Sequence, residues 1–135
     1  MSDCIFCKIL SGEIPSATVY EDDEFKAILD RFPSNKGHVL ILPKTHVANI
    51  FEIDPDLAGR LFKLAAKIAP VMKETFGFEN MNIVQNNGPI AGQTVNHFHL
   101  HLIPRYENDS VNVSWKQLDL TDEEIEEVRA ALVKN

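Results

Sequence analysis

The chain reads as an α+β domain built on a mainly antiparallel sheet of about five strands with two helices. Its 135 residues fit one domain, spanning 1–135. Short apolar or alternating runs, bounded by glycine, proline or acidic turns, recur without regular βαβ alternation. Two longer segments carry the three-to-four spacing of amphipathic helices instead.

Val19-Tyr20, an acidic turn and then Phe25 to Leu29 read as a hairpin. Val39-Leu40-Ile41-Leu42, between Gly37 and Pro43, is too short for a typical helix and predicts a central strand buried on both faces. Asp54 is a good N-cap with Pro55 at the first helical position, and Leu57, Leu61, Leu64, Ala65, Ile68 and Met72 predict a long helix ending at Gly77. Pro70 is expected to kink or divide it, because a mid-helix proline removes a donor and clashes with the preceding turn. Ile83-Val84 heads another short strand, and His97 to Ile103 is the last. Thr121 and Glu124 form a capping box before a second helix, with Ile125, Val128 and Leu132 as its apolar stripe. Val111, Val113 and Trp115 alternate and can serve an interface.

Apolar residues make up 44% and charged residues 24%, the composition of an ordinary globular chain. Thirteen Lys and Arg against 20 Asp and Glu give −7, which argues against nucleic acid or an anionic membrane as partner. Nine of the twenty acids sit at 21–24 and 122–127, where a solvated turn and a solvated helix face account for them. No basic start precedes Cys4, and no apolar run approaches the roughly 20 residues of a membrane span. A cytoplasmic location is expected, with Cys4 and Cys7 as thiols or metal ligands.

The chemistry concentrates in His97-Phe98-His99-Leu100-His101-Leu102-Ile103-Pro104. A strand's two-residue period puts the three histidines in one row about 7 Å apart. Such a row suits either a three-histidine metal site with an open position or an imidazole nucleophile supported by its neighbours. Asn86-Asn87-Gly88-Pro89-Ile90-Ala91-Gly92-Gln93-Thr94 leads into it, with two glycines to bend the backbone toward an anion and Asn86, Gln93 and Thr94 as neutral donors. Neither a P-loop nor a G-x-G-x-x-G motif occurs. Cys4-Ile5-Phe6-Cys7 suits an edge of a zinc site, a redox dithiol or two buried thiols, with His46 and one member of the row as further ligands if metal binds.

These residues resemble the histidine triad family, whose pattern is His-x-His-x-His. The string from Ala91 through Arg105 is similar to the family's phosphate loop and triad, and Cys4-Ile5-Phe6-Cys7-Lys8-Ile9, Glu13-Ile14-Pro15, Tyr20-Glu21-Asp22 and Gly37 to Lys44 match its earlier landmarks. The resemblance implies a nucleotide hydrolase, with His99 attacking the α-phosphorus to form a nucleotidyl-histidine that water releases. It implies that His101, His38 and His97 support that nucleophile, and that Asp30 receives the ribose hydroxyls. Asn86, Gly92, Gln93 and Thr94 would hold the phosphate, and Phe6, Ile9, Ile28 and Leu29 would enclose the base. It also implies structural zinc on Cys4, Cys7, His46 and His97, and a homodimer across which the sheet extends.

The substrate signals point two ways. The Cys-x-x-Cys start and Glu13-Ile14-Pro15 look like the branch acting on purine nucleoside phosphoramidates. Thr94 and Ile103-Pro104-Arg105 are similar to the dinucleoside polyphosphate hydrolases, where Arg105 meets a distal phosphate or is a surface charge. A nucleotide-binding regulatory module with incidental turnover is a further alternative.

Overall fold

The computed structural model describes residues 3–133; Met1 and Ser2 of the amino-terminal reading and the last two residues of the 1–135 domain lie outside the described residues. In chain order the elements are α1 (Ile5–Leu10), β1 (Thr18–Glu21), β2 (Phe25–Leu29), β3 (Val39–Pro43), α2 (Pro55–Phe76), β4 (Asn80–Val84), a 3₁₀ turn (Pro89–Ala91), β5 (Leu100–Arg105) and α3 (Asp122–Val133). One antiparallel sheet in the order β1-β2-β3-β5-β4 holds all five strands.

The expected hairpin forms as β1–β2, and the acidic stretch between them is a turn. Asp22 Oδ1 accepts from the backbone N–H groups of Glu24 and Phe25, both at 2.8 Å. Central β3 is buried along its whole length, as the unbroken apolar run predicts. Its alternate side chains separate two cores. Val39 and Ile41 join Phe25, Ala27, Leu100 and Leu102 against Leu61, Leu64, Ala65 and Met72 of α2. Leu40 and Leu42 face the other way, with Ile28 beneath Phe6 and Ile9 of α1. Each such large side chain contributes about 1.5–3 kcal/mol on burial.

Three expectations are corrected, and of the two alternatives for Pro70 one, division of its helix, is excluded. Among the described residues the α-helices number three, because α1 forms as well. Its six residues carry no Ser, Thr or Asp cap; instead Cys4 Sγ accepts from the Cys7 N–H at 3.4 Å, and Phe6 and Ile9 are buried on the sheet. Pro70 does not divide α2, which runs unbroken from an Asp54 cap to a left-handed Gly77. Pro70 and Ala66, whose carbonyl loses its donor, both lie on the exposed side, so the freed acceptor is not on a buried face. Ile83-Val84 ends β4 rather than heading it. The last strand starts at Leu100 and not at His97, since the Phe98 N–H leaves the ladder for the Val47 carbonyl at 2.7 Å.

Gly37 fits only as glycine. Its φ is +92°, and a Cβ there would meet the Phe76 ring at 3.0 Å. The tight turn delivers His38 to the start of β3. No described helix is long and apolar enough to cross a membrane.

Candidate active site and metal centre

On the α1 face of the sheet the two-residue period brings together Asp30 just after β2, His38 just before β3, and His101 within β5, where it pairs in register with Leu40 and Val84. With Asn86, Ile103 and the segment Ser110–Val113, these groups line a cavity of about 580 Å³, within the range of small-molecule sites. His99 is buried beside it, its ring 4.9 Å from that of His101 and 4.9 Å from the edge-on ring of Phe6.

The hydrogen bonds assign protons to the imidazoles. A carbonyl only accepts, so the 2.7 Å contact from His99 Nδ1 to the His97 carbonyl makes Nδ1 the donor and leaves the lone pair of a neutral ring on Nε2. An amide N–H only donates, so His38 Nδ1 accepts from Ser34 at 3.0 Å. His38 Nε2–H then donates to His101 Nδ1 at 2.9 Å, which leaves His101 with its proton on Nε2. Asp30 Oδ2 stands 3.6 Å from His38 Nε2. Burial holds His38 and His99 below their ordinary range, and burial with the neighbouring histidines pushes His101 down to about 4. Neutral imidazoles at pH 7 follow.

His97 belongs to a second cluster. Its Nε2–H donates to the Pro43 carbonyl at 2.9 Å, so Nδ1 carries the lone pair. That nitrogen lies 3.5 Å from Cys4 Sγ, 3.6 Å from Cys7 Sγ and 3.1 Å from His46 Nδ1, while Cys7 Sγ is 3.2 Å from His46 Nδ1. A tetrahedron with Zn–S of about 2.3 Å and Zn–N of about 2.0–2.1 Å has N–N and N–S edges of roughly 3.3 and 3.6 Å. The four donors are therefore spaced as zinc ligands, and both thiols are free. The alternative of three triad histidines around one metal is corrected: among the described residues they form no converging set, because His97 turns to the cysteines and His99 to a backbone carbonyl.

The loop before the triad is a brace as much as a cradle. Gln93 is buried, its Oε1 accepting from the Gly88 N–H at 2.7 Å and its Nε2 donating to the carbonyls of Ala48 at 2.6 Å and Val95 at 3.0 Å. Its amide is thus committed to the protein. Gly92 has φ +96°, and a Cβ would stand 3.3 Å from Asn86 Nδ2, so glycine lets Asn86 lie against the loop at the cavity. Thr94 lines a separate cavity of about 550 Å³ beside Cys4 and His46.

Phe6, Ile9 and Ile28 cluster on the site face, whereas Leu29 points to the α2 face, one residue out of phase with Ile28 and Asp30. Arg105 is held bidentately by Asp109 at 2.9 Å and also donates to Asn82 Oδ1 and the Val111 carbonyl, which leaves the reading of a free surface charge or distal-phosphate ligand without a free guanidinium. Val111 and Val113 line the His101 cavity in non-strand backbone. Sequence reasoning missed Ser34 and Pro43, which act through backbone groups that no side-chain motif encodes, Ser34 from the turn before His38 and Pro43 from a strand remote from His97 in sequence.

A family model described as the HIT domain matches residues 11–108. The chain is 39% identical over 123 residues to the adenosine 5′-monophosphoramidase of Schizosaccharomyces pombe, covering 90% of each. It superposes on a crystal structure of a HIT family member from Bacillus subtilis with a TM-score of 0.92 at 41% identity, covering 98% of this chain and 96% of that one. A zinc-bound histidine triad family protein from Mycobacterium smegmatis gives a TM-score of 0.77 at 35% identity, with 98% and 95% covered.

Proposed function

From the premise that the chain belongs to the HIT family, we propose that it is a hydrolase of purine nucleoside phosphoramidates with His99 as its nucleophile. The observation that carries this reading is the 2.7 Å bond from His99 Nδ1 to the His97 carbonyl, which reserves Nε2 for attack. The Nε2 lone pair forms a bond to the α-phosphorus, the phosphorus–nitrogen bond of the substrate breaks, and the amine takes a proton as it leaves. Water then attacks the nucleotidyl-histidine and releases the nucleoside monophosphate. His101 Nε2–H, held by His38, donates to the phosphoryl oxygens as their charge grows. Asp30 receives the ribose hydroxyls, Phe6, Ile9 and Ile28 enclose the base, and Asn86 and Gly92 face the phosphate, with Gln93 keeping their loop in shape, whereas Thr94 sits at the cavity beside Cys4 and His46 instead.

Zinc is the cofactor this reading assigns to Cys4, Cys7, His46 and His97. A four-ligand site leaves no position for activated water, so its chemistry is structural, joining the amino-terminal helix to the triad segment. The cytoplasm, which keeps thiols reduced, suits that ligand set. A homodimer paired through the open edge of β4 completes the reading.

The test is single-turnover reaction of a model adenosine phosphoramidate labelled in its phosphate. Wild-type protein should form an acid-labile labelled adduct and turn over; His99→Ala should lose both, with turnover down about 10⁴-fold or more. Wild-type-like hydrolysis by His99→Ala refutes the nucleophile, and an adduct that never turns over replaces the hydrolase with a binding module. Dinucleoside polyphosphates are the weaker substrate class, because four of the five N–H donors of Arg105 are already engaged within the protein.

A further inference from the structure

The carboxyl-terminal helix is locally complete yet buries nothing. Thr121 N–H donates to Glu124 Oε1 at 2.9 Å, Glu124 N–H returns the bond to Thr121 Oγ1 at 3.1 Å, and Glu126 pairs with Arg129. Ile125, Val128 and Leu132 nevertheless stand 53%, 55% and 71% exposed along one side of α3. A free helix of this length is marginal in water, so the stripe calls for a counterpart.

A surface of matching character lies between α2 and the β1–β2 hairpin. This groove, about 700 Å³, is floored by Phe25, Leu29, Val39, Leu64, Ile68 and Met72. Val71 lies on its rim, 63% exposed. Lys63 and Lys67 of α2 edge it, and neither has a carboxylate partner among the described residues. Asp22 and Glu24, the acids at its far end, are already engaged, by Tyr20 and the turn backbone and by Arg60 respectively. α3 brings five acids against one arginine, a net −4 between Asp122 and Val133. Apolar side meets apolar side and acid meets base.

The groove's own chain is badly placed to fill it. Val111–Val113, where the arm leaves the body, line the His38–His101 cavity, and the whole sheet separates that face from the α2 face. A second copy approaches the groove from outside without crossing the sheet.

We propose that α3 of one copy seats its Ile125–Val128–Leu132 stripe in the α2–β1–β2 groove of a second copy, acids toward Lys63 and Lys67, with the exchange made reciprocally about a two-fold axis. The seat is independent of the catalytic reading and of pairing at the β4 edge.

The experiment places photoreactive p-benzoylphenylalanine at Leu132 of the full chain. After illumination, intact mass separates links between copies from links within one, and peptide mapping locates them. The expected product has twice the chain mass and joins position 132 to α2 or the β1–β2 hairpin. Val71→Asp should lower its yield about tenfold while leaving hydrolysis unchanged. A link of single-chain mass, a link to any other surface, or no link overturns the proposal, whereas a dimer that persists without this link overturns the α3 seat and leaves the β4 pairing standing.

Discussion

At the cysteine end of the histidine run the decisive ring nitrogens face one another, Nδ1 of His46 and of His97 3.1 Å apart beside two thiols. At the Asp30 end each ring is tied to a group of fixed sense: Ser34 N–H into His38, His38 into His101, and His99 into a carbonyl. On the proposed reading, identical side chains thus become ligands in one place and proton carriers in the other, according to which nitrogen the backbone engages. The cysteine cluster is built from donor atoms that face one another at 3.1–3.6 Å, the spacing of ligands around one cation. The catalytic cluster is satisfied as it stands, with only its outward nitrogens left for substrate.

That difference predicts separable damage. The largest effect on folding is expected from Cys7→Ser or from chelation, because metal affinity is folding free energy: a loss of about 3 kcal/mol or more in denaturant unfolding, with kcat/KM of the folded fraction staying within about tenfold. An unaltered unfolding midpoint would mean that the cluster holds no structural metal.

Acidification should strike the other cluster. His101 is pushed down to about 4 in the folded state against an ordinary 6.5, and His38 is lowered in the same direction. The unfolded chain therefore binds protons first, so stability is complete above about pH 6.5 and falls progressively toward pH 4, by up to roughly 3 kcal/mol from His101. Urea midpoints measured at steps of pH check the sign. The acidic limb of kcat/KM should likewise lie below pH 6.5, and a limb at 6.5 would show exposed, ordinary imidazoles.

Gln93→Ala tests whether the loop is a brace. Leaving the Gly88 N–H and the Ala48 and Val95 carbonyls without their partner should cost about 1–3 kcal/mol, and KM should rise as Asn86 loses its position. The smallest effect is expected from Thr121→Ala, far from both clusters. Loss of the cap should cost about 1 kcal/mol of α3 stability, read by amide exchange, with unchanged turnover.

Much of this arrangement was legible in the chain. Val39–Leu42 announced a doubly buried strand through its lack of polar positions, Asp54-Pro55 and Gly77 marked both ends of α2, and His-x-His-x-His marked the chemistry. α1 was not legible, because a six-residue helix capped by a thiol has neither the length nor the residue types of a helix signal. The row of three histidines was over-read for a similar reason. Alternation assumes a continuous strand, but the ladder begins only at Leu100, and tertiary pulls from Val47, Pro43 and Cys4 take His97 out of the row. Gln93 was read as a free donor because its acceptors, Ala48 above all, are remote in sequence.

His97 takes part in both clusters through different atoms: its ring addresses the cysteines, while its carbonyl fixes the proton of His99. A carbonyl is common to every residue type, whereas a metal-binding ring is not. On the proposed reading, side-chain identity at position 97 therefore governs the metal, and the course of the backbone governs the nucleophile. Metal loading and bond-breaking chemistry can drift apart by substitution at this one position without either having to be invented again.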